Sequence, residues 1–458
     1  MFFRQYDLAC LSLYSYLIGD TTTGRAVVID PQRDISDYLA DAAANDLHIE
    51  RVIETHFHAD FLSGHLELAE ATGAKISYGD VATTDFPMDP LAHGQRLSLG
   101  NVTLEVRHTP GHTPESISIV VYEHPDDEPW AVLTGDTLFI GDVGRPDLLT
   151  SVRRTADSLA RDLHRSLRDE LLTLPDVTHV YPAHGAGSAC GKHLSTAAMS
   201  TIGEQRQTNY ALRPMTEDEF VDVVTEGQSA APLYFAFAAD ANRRERDLLD
   251  DSELPTTLTI DEALALGQSG AVLLDTRSPE IFASGHVRGS INVGLDGRFA
   301  EYAGDVIRPG QQVVLLGDAG RSAEGKVRLA RIGFDDVVGE VPDVERVLAE
   351  RPDLAAAARR LPATDVAAWL ADDPDLQVVD VRNPSEVVGS DTVPGAHLLP
   401  LPQLLDHLDE LDPSKPTIVY CAGGYRSSVA ASTLRAHGFT TVADIIGGHG
   451  AWASAPPT

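Results

Sequence analysis

The chain has 458 residues, too many for one hydrophobic core, so two or three domains are expected, and its 43% hydrophobic content is enough for each to bury an interior. Its 35 basic against 69 acidic residues give a formal charge of -34, which repels phosphate backbones and anionic membrane surfaces and excludes nucleic acid as an expected partner. Three cysteines, Cys10, Cys190 and Cys421, are too few and too far apart for a disulfide framework, so a reducing, cytoplasmic compartment is expected.

In chain order, the opening LACLSLYSYLIG interleaves Ser and Tyr and lacks a basic leader and a small-residue cleavage site. It reads as a strand that places Cys10 in a core, not as a signal peptide. No run approaches the roughly 20 apolar residues of a membrane helix. RAVVID, a helical DISDYLADAAAND and IERVIETHFHAD continue a mixed α/β layout. Strand-like VTLEVRH, SISIVVYE, WAVLTGD and THVYPAHG follow, with helices expected between Ser151 and Leu172 and between Gly191 and Arg206. The charged DANRRERDLLDDSELP predicts a linker at about Asp240 to Pro255.

Beyond that point the sequence repeats. LLDTRSPEIFASGHVRGSIN is echoed by VVDVRNPSEVVGSDTVPGAH, and Asp275, Arg277, Arg321 and Gly333 recur 105 residues later as Asp380, Arg382, Arg426 and Gly438. A duplicated small α/β domain is the expected cause. The expected domains are residues 1–245, 256–350 and 360–458.

Four segments of the first domain carry candidate metal ligands: His56, His58 and Asp60; His112; Asp136; and His184. Each follows a strand-like run, so their loops are expected to converge at one end of a sheet sandwich. Imidazoles and carboxylates in this mixture suit zinc, iron or manganese. On spacing alone His58 competes with His112 for a place among the ligands.

These residues resemble the metallo-β-lactamase superfamily, in its glyoxalase II and persulfide dioxygenase branch, over about Met1 to Gln207. The resemblance implies an αββα sandwich with its metal at the sheet edges. It further implies His56, His112 and Asp136 as ligands of one Fe(II) per chain, with zinc as the alternative. His58, Asp60 and His184 would then be outer residues that orient ligands or handle protons. The family's two-zinc hydrolases end their His-x-His-x-Asp-His motif on a ligand to the second metal, whereas this chain has Phe61 there, so one metal is expected. Two imidazoles and one carboxylate with open positions form the facial arrangement of non-haem Fe(II) oxygenases. FIGDVGRPDL resembles the family loop after the ligand Asp, where Arg145 is expected to grip a carboxylate of a thiol cofactor, a surface ion pair being the alternative. Cys190, six residues after His184, is expected either as a relay thiol or as a small buried residue.

IVYCAGGYRSS places Cys421 at a strand end before a helix, where backbone N–H groups and the helix N-terminus favour a thiolate or persulfide. With DVRNPSE and GGHGAW, this loop resembles the rhodanese active loop over about Pro362 to Trp452. That implies Cys421 as nucleophile with Arg426 beside it. The matching VVLLGDAGRSAEG of the first copy keeps Arg321 but has no cysteine, so a pseudo-rhodanese scaffold is expected.

The whole chain is similar to metallo-β-lactamase and rhodanese fusions, an α/β architecture of one αββα sandwich and two rhodanese domains. The resemblance implies oxidation of a low-molecular-weight thiol persulfide by O2 to sulfite, followed by sulfur transfer through Cys421 to sulfite, giving thiosulfate, as in sulfide detoxification. It also implies a homo-oligomer, dimer or tetramer. The alternatives are a zinc thioester hydrolase of the glyoxalase II type and a non-enzymatic persulfide carrier or sensor.

Overall fold

Runs such as Leu13–Asp20 and Ile117–Tyr122 are buried along their whole length, which a strand achieves only when a layer covers each face of its sheet. The computed structural model, which describes residues 1–148, 155–389 and 391–455, supplies those layers. It divides the chain into two units, Met1–Gln228 with Phe235–Leu249, and Ser229–Tyr234 with Asp250–Thr458.

In the first unit β1 (Phe2–Leu8), β2 (Leu13–Asp20), β3 (Arg25–Ile29), β4 (His48–Ile53) and β5 (Lys75–Ser77) form one sheet in that order. β6 (Arg96–Ser98), β7 (Thr103–His108), β8 (Ile117–Tyr122), β9 (Ala131–Gly135), β10 (His179–Pro182) and β11 (Ser200–Thr201) form the other. Side chains alternate along each strand. Ile18, Val27, Ile29 and Ile53 of the first sheet share one core with Val106, Ile119, Val121 and Leu133 of the second. Their sequence neighbours turn outward. Leu17, Val28 and Val52 pack with Tyr38, Ala42 and Leu68 of the helices Ser36–Ala44 and His65–Thr72. Val120, Val132 and Val180 pack with Ala160, Leu163 and Phe220 of the helices Ala156–Arg165 and Glu217–Thr225. The layers are helix, sheet, sheet, helix.

Local expectations depart from this in four places. β1 ends at Leu8, and Cys10 lies half-buried in the turn to β2, because the chain must reverse there to pair the two strands antiparallel. Between Gly191 and Arg206 helix begins only at Ile202; the Asp142 carboxylate accepts the N–H groups of Lys192 and His193 at 2.6 Å each and holds that stretch irregular. Of the helix expected from Ser151, residues 151–154 lie outside the described residues, and Ala156–Arg165 continues as a π-helical turn, Ser166–Leu171. The charged stretch expected as a linker is packed on the first unit as far as Leu249. Its Arg246 joins Arg33 on the buried Glu67 carboxylate, at 2.6 and 2.8 Å. Asn242 is fully buried; its amide donates to the carbonyls of His58 (2.8 Å) and Phe61 (2.9 Å) and accepts from Ser63 N–H (2.9 Å).

The second unit contains two parallel sheets of related design. One runs Ile291–Asn292, Val272–Asp275, Val313–Gly317, Val337–Pro342, and the other Arg359–Leu361, Val442–Ile445, Thr417–Tyr420, Gln377–Asp380, Ala396–Leu398. Each first-duplicated strand ends in a buried ion pair, Asp275 with Arg277 and Asp380 with Arg382, both at 2.6 Å. Among the described residues no helix is long and apolar enough to cross a membrane.

Asn242 fastens the loop that carries His56 and His58, so its removal has a defined cost. Asn242→Ala leaves one buried donor and two buried carbonyls without this partner and is expected to destabilise the first unit by about 3 kcal/mol. Urea unfolding followed by the fluorescence of Trp130 checks this, since Trp130 packs in that unit's core.

Candidate functional site

β7, β9 and β10 run in the same direction within the second sheet, so the loops after them open at one end, where β4 of the first sheet also delivers its loop. The β4 loop is held by its main chain. Thr55 N–H donates to Asp30 Oδ1 (2.7 Å) and Phe57 N–H to Glu115 Oε1 (3.0 Å). The loop after Asp136 returns close to it, and Gly144 is required there because a Cβ would overlap the Asp136 carbonyl oxygen.

His56, His112 and Asp136 meet at this end, each 1% exposed. Asp136 Oδ2 lies 3.5 Å from His112 Nε2 and 3.8 Å from His56 Nε2. Ligand atoms about 2.1 Å from a common ion stand roughly 3–3.5 Å apart, so the three converge as a slightly open ligand set. Among the described residues neither His56 Nε2 nor Asp136 Oδ2 has a hydrogen-bond partner, a costly arrangement in a buried site that a bound cation relieves at once. The far nitrogens fix which atoms face the cleft. His112 Nδ1 lies 2.8 Å from the Arg145 carbonyl, which can only accept. His56 Nδ1 lies 2.9 Å from Thr55 Oγ1, which gives its own proton to Asp30 Oδ2 at 2.9 Å. Both rings therefore carry the proton on Nδ1 and present a bare Nε2.

The charges agree with this. Burial, with His58 beside it, holds the His56 imidazole well below its ordinary pKa. For Asp136 burial opposes ionisation, but His184, hydrogen-bonded to it, outweighs burial and holds the carboxyl well below the usual range. Neutral imidazoles and an ionised carboxylate are the forms that bind a cation.

The remaining expected residues fall around this face. His184 bridges two carboxylates, Nδ1 to Asp136 Oδ1 and Nε2 to Asp60 Oδ2, each at 2.7 Å. These carboxylates outweigh the cost of burial and hold its pKa well above the ordinary value. His58 is outside the His56, His112 and Asp136 group and falls in another with Asp60 and His184. Arg145 is 3% exposed and its guanidinium forks onto Asp147, with both bonds at 2.7 Å, so this donor pair is already engaged within the chain. The Cys190 sulfur lies within 4.8 Å of ligand atoms of Asp136 and His184. Burial, then Asp60 and Asp136, push its thiol well above the ordinary pKa.

In the second unit Cys421 follows the strand Thr417–Tyr420 directly and is 2% exposed. Gly424, at φ 95°, aims its N–H at Cys421 Sγ (3.1 Å) as it starts the helix Tyr425–Ala436. Arg426 does not point a free guanidinium at the sulfur; it forks onto Glu386 at 2.6 and 2.7 Å. In the first copy Leu316 pairs with Asp275 as Tyr420 pairs with Asp380, so Gly317 stands where Cys421 does. Four steps separate Gly317 from Arg321 and five separate Cys421 from Arg426, so the first copy's loop is also one residue shorter. Arg321 there pairs with Asp296 and Glu324.

Several residues of these sites escape a reading of the sequence. Asp30 ends an apolar strand beside the histidine loop, and that position was its available signal. Asp147 lies within FIGDVGRPDL and Glu386 within DVRNPSE, but neither stretch says which group its carboxylate holds, and Asn242 carries no mark because its role arises from contacts across the chain.

The rhodanese-like domain model matches residues 259–340 and 362–455, and the metallo-beta-lactamase superfamily model matches residues 9–184. The mitochondrial persulfide dioxygenase of Bos taurus is 29% identical over 235 residues, 50% of this chain and 83% of that protein. The cytoplasmic hydroxyacylglutathione hydrolase of Arabidopsis thaliana is 33% identical over 182 residues, 39% of this chain and 66% of that protein. The crystal structure of a metallo-beta-lactamase from Staphylococcus aureus is similar with a TM-score of 0.69 and 34% identity, over 75% of this chain and 99% of that one. With its buried His and Asp cluster at the mouth of an αββα sandwich, the chain belongs to the metallo-β-lactamase superfamily and continues into two rhodanese-like domains.

Proposed function

We propose that the chain is a persulfide dioxygenase with sulfurtransferase activity. Residues 1–245 oxidise a low-molecular-weight thiol persulfide, residues 256–350 form a scaffold without a nucleophile, and residues 360–458 transfer sulfur through Cys421. The observation that carries this reading is a convergent face of two imidazoles and one carboxylate, His56, His112 and Asp136, in a chain that also holds a thiol at a helix N-terminus. The likeness to a persulfide dioxygenase supports it.

His56, His112 and Asp136 would hold one Fe(II). When bound, a ferrous ion supplies the one-electron chemistry that dioxygen requires and zinc lacks. The chain's own residues do the rest. Arg145 acts through its carbonyl, which keeps the proton of His112 on Nδ1. His184, between Asp60 and Asp136, holds a proton beside the reacting centre. All these groups are buried, so bulk water does not compete for their polar atoms. Overall, RSSH + O2 + H2O gives RSH + H2SO3.

At Cys421 the thiolate attacks the sulfane sulfur of a second persulfide, breaking its S–S bond and releasing the carrier thiolate. Sulfite then takes that sulfur, forming thiosulfate and restoring the Cys421 thiolate. Gly424 N–H donates to the anionic sulfur, and the helix N-terminus adds positive potential. Glu386 keeps Arg426 fixed beside the loop.

A second reading, zinc-dependent thioester hydrolysis, is favoured by the group His58, Asp60 and His184, whose ligand atoms lie within 4.8 Å, and by the likeness to the plant hydrolase. Against it, Phe61 offers no ligand and packs its ring 4.4 Å from that of His58. Oxygen uptake distinguishes the two: iron-loaded protein is expected to consume O2 with glutathione persulfide. Hydrolysis of S-lactoylglutathione without O2 consumption is the outcome that favours the second reading.

Two substitutions divide the chemistry. Asp136→Ala is expected to lower bound metal at least tenfold, measured by elemental analysis, and to abolish sulfite formation. Cys421→Ser is expected to abolish thiosulfate formation while sulfite continues to accumulate, measured by chromatography of both anions; loss of both products would contradict the division of labour.

A further inference from the structure

The helix that follows the Cys421 loop, Tyr425–Ala436, is buried at every position from Ser427 to Leu434. Eight consecutive residues make more than two turns, so the helix is covered all round. Its own copy covers one side with the strands Thr417–Tyr420 and Val442–Ile445. The first, thiol-free copy covers another with the strand Ile291–Asn292 and the helix Phe299–Val306, and Asn292 N–H donates to Ser432 Oγ at 2.9 Å.

The loop itself is held from both copies. At its start the second copy supplies the partners: His449 N–H donates to the Cys421 carbonyl (2.6 Å) and Gly450 N–H to the Ala422 carbonyl (3.1 Å). At its end the first copy takes over. Tyr425 Oη donates to the Gly294 carbonyl (2.6 Å), and the Tyr425 ring lies against that of Tyr302 with centroids 5.3 Å apart. Burial, with Tyr302 beside it, holds the Tyr425 hydroxyl well above its ordinary pKa, so it keeps the proton it donates. Arg360 donates to the Gly424 carbonyl (3.3 Å) and is itself paired with Asp444 (3.1 Å) and with Glu280 of the first copy (2.8 Å). Gly424, whose N–H meets the Cys421 sulfur, is thus fixed through its carbonyl and through the next side chain.

We infer that the thiol-free copy is a working part of the transferase site: Gly294 and Tyr302 hold Tyr425, and Tyr425 holds Gly424 where its N–H meets the sulfur. This rests on the reading of Cys421 as the sulfur carrier. Tyr425 and Tyr302 are then positioning residues, since neither donates to the sulfur itself. A donor aimed at a reacting anion stabilises it only while its direction is kept, and a misplacement of about 1 Å at such a centre costs roughly 100-fold in rate. The first copy has lost the nucleophile position, yet it retains the surface that orients the other copy's loop.

The test uses the full chain with glutathione persulfide and added sulfite, O2 excluded, so that thiosulfate formation reads the transfer step alone. Tyr425→Phe keeps the ring against Tyr302 and deletes only the hydroxyl. Its kcat is expected to fall about tenfold with KM for both substrates unchanged. Gly294→Ala puts a methyl group 3.3 Å from that hydroxyl, from the first copy's side, and is expected to lower kcat several-fold. Together the two are expected to lose no more than Tyr425→Phe alone, because both act through one contact, whereas independent effects multiply. Tyr425→Phe stands by itself if Gly294→Ala fails to fold. A native kcat in Tyr425→Phe, a loss confined to KM, or multiplied losses in the double variant overturns the inference. Cys421→Ser separates the two levels. If it abolishes transfer while Tyr425→Phe is native, the positioning role alone fails; if transfer survives it, the reading of Cys421 fails and the positioning role with it.

Discussion

Asp136 is the residue on which the cleft depends. Its carboxylate is taken out of water almost completely, a costly step unless every lone pair finds a positive or polar partner. One oxygen has His184 at 2.7 Å, and the other faces His112 and His56 at distances too long for hydrogen bonds. That second oxygen is where a cation belongs. The sandwich makes this possible: two sheets covered on both outer faces exclude water, and loops from both sheets reach the same dry end.

The convergence of His56, His112 and Asp136 was legible in the sequence because each follows an apolar strand, and strand ends are where loop residues converge. What surrounds them was less legible, for a physical reason. A buried donor or acceptor is satisfied by whichever group folding brings to it, and that group can lie anywhere along the chain. Asn242 sits in a segment whose charge predicts solvent, yet its amide closes three main-chain bonds of the histidine loop nearly 180 residues away. Arg246 from the same segment neutralises Glu67. Arg145 was expected either to grip a carboxylate of a thiol cofactor or to form an ion pair; it forks onto Asp147 two residues on, and its carbonyl accepts from His112.

The duplicated half shows how structural and chemical residues part company. Both copies keep the Asp and Arg pair that closes the sheet, because removing either partner strands a buried charge. Only the second keeps a thiol, with a loop long enough for Gly424 to turn its N–H onto the sulfur. The repeat offset revealed the duplication, whereas the strand register was needed to see that the first copy has Gly317 at the nucleophile position and one residue fewer after it.

The central claim is a single redox-capable ion held by His56, His112 and Asp136, and elemental analysis of the full chain purified under argon tests it most directly. The expected result is one iron per chain. Two zinc ions per chain, with a crystal structure showing Asp136 bridging them, would contradict it.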